Sequence, residues 1–115
     1  MAHVGPGAPQ SPWFHVRVER NSPPGVTAVW LSGELDLAGA GTVDDCLAAV
    51  VESDPEVVVD LRELAFIDSS GLRSLVRSRK NAAALGHTLT LRHPGAVVAK
   101  VLAITGLDEV FAIER

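Results

Sequence analysis

Phe66-Ile67-Asp68-Ser69-Ser70-Gly71-Leu72 is the stretch that decides how this chain folds, because an apolar run gives way there to a helical period. Before it the side chains read as the end of a buried strand. After it Leu72, Leu75, Val76 and Ala83 recur at helical spacing. A helix start leaves about four backbone N–H groups without intrahelical partners, so Ser69 or Ser70 is placed to cap it. The same N–H groups favour an anion, and the turn therefore reads as a cap, a phosphate seat, or both. Gly71 reads as a residue for close backbone approach or early-helix geometry, without chemistry of its own.

Upstream, Glu56-Val57-Val58-Val59-Asp60 is a nearly continuous apolar run, the pattern of a central parallel strand covered on at least one face. Val43, Cys46, Leu47, Val50 and Val51 before it form the stripe of an amphipathic helix that Asp54-Pro55 closes. Thr42 and Asp45 resemble a capping box for that helix, which can also begin a turn earlier. Phe14–Arg20 alternates apolar with polar, residues 21–25 hold two prolines and a glycine, and residues 26–31 make a second strand, so the chain opens on an antiparallel pair.

Downstream, Gly86 stops the second helix and residues 88–92 alternate as a strand. Pro94 opens a third helix with Val97, Val101 and Leu102 apolar and Gly106 as its stop. Residues 110–113 supply an edge strand or a terminal packing segment. This order predicts an α/β domain with a mixed four- to five-stranded sheet, right-handed crossovers, and helices packed mainly on one face.

At 115 residues and 47% apolar content the chain is one domain, able to bury roughly two thirds of its unfolded surface. Residues 1–12, with three prolines and two glycines, read as a disordered tail, which leaves residues 13–115 as the domain. Cys46 is the single cysteine and reads as a small core hydrophobe; a reducing compartment fits but does not follow from it. A net charge of −4 argues against a nucleic-acid binder, and only residues 73–80 are locally basic. No apolar run approaches the roughly 20 residues of a membrane span and no basic and apolar leader opens the chain, so a soluble, cytoplasmic protein is expected.

Enzyme chemistry finds little support. A serine hydrolase elbow requires glycine two positions before the nucleophile, where Ile67 and Asp68 stand here. His3, His15, His87 and His93 are scattered, with His87 and His93 read as surface residues, so neither a catalytic triad nor a metal cluster is indicated. No phosphate-cradling or dinucleotide glycine pattern occurs, and no cofactor is expected.

Leu31-Ser32-Gly33-Glu34-Leu35-Asp36, Val57-Val58-Val59-Asp60-Leu61, Phe66-Ile67-Asp68-Ser69-Ser70-Gly71-Leu72 and Ala103-Ile104-Thr105-Gly106-Leu107 together resemble the ordered landmarks of the STAS domain. More narrowly they resemble the bacterial anti-sigma factor antagonists, over about residues 14–113. The resemblance implies a regulator without catalytic activity that binds an anti-sigma factor with serine kinase activity and so releases a sigma factor. It implies phosphorylation at Ser69, the serine after the motif aspartate, with Ser70 as second choice, and a phosphatase that restores the active form. Asp36, Asp68, Ser70, Gly71 and Arg73 are then the residues expected to meet the partner or kinase.

Each of these has a plainer reading as well. Asp36 also suits a helix cap or turn, and Arg73 is either a solvated arginine or a contact to the phosphate or to an acidic group of the partner. Arg77, Arg79 and Lys80 read as a solvated helix face. The runner-up function is a non-switched STAS scaffold, or a subunit of a larger signalling or lipid-transport assembly. Phosphorylation adds a charge of about −1.5 to −2 at a helix start that tolerates it, so the physical expectation is a switch that spoils an interface rather than the fold.

Overall fold

The computed structural model describes residues 13–21 and 23–115, and the expected tail, residues 1–12, lies outside the described residues. Strand β1, Phe14–Arg20, pairs antiparallel with β2, Thr27–Leu35. Helix α1, Leu37–Ser53, crosses to β3, Glu56–Ile67, which lies parallel to β2. Helix α2, Ser69–Ala84, leads to the parallel strand β4, Thr88–Arg92, and α3, Ala96–Ile104, leads to the short β5, Ile113–Glu114. The sheet order is β1-β2-β3-β4-β5, so each crossover steps the same way and its right-handed form puts all three helices on one face. Val43, Leu47, Leu72, Leu75, Val98 and Leu102 from these helices share one core with Val29, Leu31, Val57, Val59 and Leu91. The expected architecture is what forms.

Several local expectations change. Strand β3 runs to Ile67, well past the apolar run at its start, because two register shifts against β2 break its alternation. Its residues in the core cluster are Val57, Val59 and Leu61, then Leu64 and Ile67, a spacing of two that becomes three at each bulge. Helix α1 begins at Leu37 with Asp36 as its cap, so Thr42 and Asp45 lie inside the helix and form no capping box. In α2 it is Ala82 that is buried while Ala83 faces outward, and in α3 Val98 is buried while Val97 is 55% exposed. His87 is half-buried, with Nδ1 2.7 Å from the Val51 carbonyl, rather than a free surface residue.

Gly33 shows why the strand leading to the site needs its glycine. Its φ is +92°, and a Cβ there would stand 1.7 Å from the Trp13 carbonyl oxygen, so no side chain fits. That carbonyl accepts from the Glu34 N–H at 2.8 Å, which holds the start of β1 against the end of β2. At the far end of α1, Asp54 accepts from the Ser53 and Thr27 hydroxyls and stands 3.4 Å from Arg20 Nε. The hydroxyl bonds, foremost that of Ser53, hold its carboxyl below the usual carboxylate range. Burial pushes the Cys46 thiol up, which keeps it protonated and suits the core role read from sequence.

Candidate functional site

Strands β2 and β3 finish side by side: Leu35 is the register partner of Ile67, and the Asp68 N–H donates to the Leu35 carbonyl at 3.1 Å. An aspartate follows each strand in extended backbone and caps the helix beyond it. Asp36 Oδ1 accepts from the Ala38 N–H at 3.0 Å, and Asp68 Oδ1 accepts from the Gly71 N–H at 3.0 Å. The cap of α2 is therefore Asp68, not either serine. Both are good capping residues, and the choice falls to the one whose backbone is still extended, φ −105° and ψ −173°, where the strand ends.

With Asp68 as cap, Ser69 and Ser70 become the first and second residues of α2. Ser69 is exposed and Ser70 half-buried, and neither hydroxyl has a hydrogen-bond partner among the described residues. Their backbone N–H groups belong to the unpaired first turn, since the capping carboxylate takes the N–H of Gly71. A free hydroxyl thus stands on the positive end of a helix, where an added phosphate meets unpaired donors.

The turn is held tightly from behind. Gly71 is buried, and a Cβ there would stand 2.7 Å from Leu35 Cγ and 2.8 Å from Ile67 Cγ1. Close approach is thus its function. The Ser74 hydroxyl, also buried, donates to the Ala40 carbonyl at 3.3 Å and lies 3.2 Å from the Ser70 carbonyl, tying the starts of α1 and α2 together. Ser74 escaped the sequence reading because a serine inside a helix carries no signal until its partner across the fold is known.

The structure brings Asp36, Asp68, Ser69, Ser70 and Gly71 to one end of the sheet. Arg73 is exposed one helical turn beyond Ser69, at the i+4 position, with no carboxylate within 4.0 Å among the described residues. Arg77, by contrast, donates to Asp44 of α1 at 2.9 Å, which removes it from the purely solvated face. Leu37, the first residue of α1, is 76% exposed and gives the same end of the sheet an apolar element. Among the described residues no three of His, Cys, Asp and Glu gather as a metal site.

A one-faced mixed sheet whose serine-bearing helix start projects from the strand ends defines a STAS fold. Residues 18–113 match the family described as Mlab, STAS domain, and the chain belongs to that family. It is 30% identical over 91 residues to the anti-sigma-F factor antagonist RsfB of Mycobacterium tuberculosis, across 77% of this chain and 73% of that protein. The crystal structure of an anti-sigma factor antagonist from Mycobacterium paratuberculosis matches with a TM-score of 0.79 at 28% identity, covering 91% of this chain and 89% of that one. SpoIIAA of Bacillus, in its unphosphorylated form, shares the fold at a TM-score of 0.72 and 19% identity, over 88% of this chain and 89% of that one. The Mycobacterium tuberculosis relative and the Mycobacterium paratuberculosis structure are both anti-sigma factor antagonists, and the homology supports that general role. No helix among the described residues is long and apolar enough to cross a membrane.

Proposed function

We propose that this chain binds an anti-sigma factor with serine kinase activity while unphosphorylated, thereby releasing a sigma factor in the cytoplasm, and that phosphorylation of Ser69 ends the binding. The observation that carries this reading is the exposed, unpartnered hydroxyl of Ser69 at the first position of α2. A kinase has direct access to such a hydroxyl. The cap comes from Asp68, so modifying Ser69 removes no bond that holds the helix. The phosphate is accommodated by the helix start and by Arg73 within one turn, while Asp68 beside it makes the modified surface strongly anionic.

The surface around Ser69 is read by the partner through Asp36, Asp68, Ser70 and Arg73, with buried Gly71 acting by packing the turn. A serine phosphatase regenerates the binding form. A scaffold without a switch has no use for a free hydroxyl at this place, which favours the switched reading over the unswitched one. Incubation with the anti-sigma factor kinase and ATP, followed by mass spectrometric mapping, is expected to find phosphate on Ser69. Phosphate on neither Ser69 nor Ser70 sinks the proposal.

A further inference from the structure

The face of the sheet turned away from the helices carries a second cluster that the serine site does not use. Val29 and Leu31 belong to the core, so Trp30 between them points to this opposite face. One register row crosses the sheet there: Arg17 opposite Trp30, Trp30 opposite Asp60, Asp60 opposite Arg92, and Arg92 opposite Glu114. Asp60 is completely buried; Arg92 Nε donates to its Oδ2 at 2.8 Å and the Arg62 backbone N–H donates to its Oδ1 at 2.9 Å. A buried carboxylate is tolerated only when paired in this way, and the pairing fixes the Arg92 guanidinium beside the indole.

Three guanidinium groups surround Trp30, with Cζ at 4.8 Å from the ring centroid for Arg17, 5.5 Å for Arg92 and 5.7 Å for Arg62. Arg17 reaches in from β1, Arg62 and Arg92 from β3 and β4, so the ring is flanked from both sides of β2. Asp60 neutralises Arg92 alone. Arg17 and Arg62 are exposed and have no carboxylate within 4.0 Å among the described residues. Among the described residues the buried indole Nε1–H has no hydrogen-bond partner, so the cluster also holds an unused donor.

Arg17 and Arg62 are each attracted to the ring at these exposed positions, which holds both cations beside it without neutralising either. On a chain of net charge −4 this concentration of positive charge is complementary to an acidic partner. Tryptophan and arginine are the side chains richest in interface hot spots, and the arginine fork matches a carboxylate bidentately. The geometry points to this face as a docking surface for an acidic segment of a partner protein, with its carboxylates on Arg17 and Arg62 and its backbone against Trp30. A second copy stacked symmetrically on the same face would set arginine against arginine. The row lies on the face opposite α1 and α2, so the acidic segment and a partner at Ser69 can bind together.

The test is an NMR titration of the full 15N-labelled chain, with the two indole N–H signals assigned through Trp13→Phe. The probes are a short glutamate-rich peptide, its glutamine-for-glutamate counterpart, and inorganic phosphate. The glutamate peptide is expected to shift the Trp30 indole signal saturably, at least tenfold more weakly in Arg17→Gln/Arg62→Gln, with each single variant intermediate and Lys100→Gln on α3 unchanged. No saturable shift, an equal response to the glutamine peptide, or undiminished binding in the double variant overturns the proposal. An equal response to phosphate alone also overturns it, by reducing the surface to a small-anion site.

Discussion

The chain turns from strand to helix twice at the same end of the sheet, through Asp36-Leu37-Ala38-Gly39 and through Asp68-Ser69-Ser70-Gly71, and the turns differ chiefly in their middle pair. Each aspartate caps the helix that follows. Each glycine is buried against Leu35: a Cβ on Gly39 would stand 3.2 Å from Leu35 Cδ1 and 2.8 Å from Phe14 Cδ2, and one on Gly71 would stand 2.7 Å from Leu35 Cγ. Architecture therefore accounts for Asp and Gly in both turns. It does not account for the serines, since Leu37-Ala38 fills the same two positions without a hydroxyl. The contrast leaves the Ser69 and Ser70 hydroxyls without a part in the cap or in the glycine packing of their turn.

The strongest way to break this equivalence is at the glycines. Gly71→Ala and Gly39→Ala each force an added methyl into a packed core and are expected to destabilise the fold by about 1–3 kcal/mol in urea unfolding. Gly41→Ala, with nothing within 4 Å of its would-be Cβ, is expected to be neutral or stabilising. If only one of the two buried positions suffers, the turns are not built alike. The caps come next: Asp36→Ala and Asp68→Ala should each cost about 0.5–2 kcal/mol by the same measurement.

Substitution of the middle pair should barely register in stability. Ser69→Asp and Leu37→Asp place a carboxylate on a helix start, so a thermal melt is expected to stay level or rise by the equivalent of about 0.3–1 kcal/mol. A Ser69→Asp chain that unfolds would show that the turn cannot take a phosphate either. The smallest effect belongs to the far end of α1, which serves as an acid-sensitive reference. The carboxyl of Asp54 is held low, so its stabilisation is present above the ordinary carboxylate range and is lost as pH falls through its lowered folded value. Acid unfolding of Asp54→Asn should therefore show a shallower limb than that of the parent chain.

The fold was legible where side-chain period and burial agree. Phe14–Arg20 alternates cleanly and forms a strand over those residues. The far half of β3 was hidden because its bulges shift the apolar spacing from two to three, which is neither a strand nor a helix period. The start of α1 was hidden by Gly39 and Gly41, poor helix formers that weaken the signal in its first turns. At the serine turn the sequence points to Ser69 or Ser70 as the cap, and Asp68 takes that place because the pairing of β2 with β3 keeps its backbone extended where the strand ends. The Trp30 cluster was illegible for a different reason: Asp60 and Arg92 are 32 residues apart and meet only through sheet register.

The central claim is that Ser69 is free of structural duty and available as a switch. It is tested most directly by titrating the anti-sigma factor with the unmodified chain and with the chain phosphorylated on Ser69, in parallel, by calorimetry. The phosphorylated chain is expected to stay folded and to bind at least tenfold more weakly. Equal affinities of the two folded forms would contradict it.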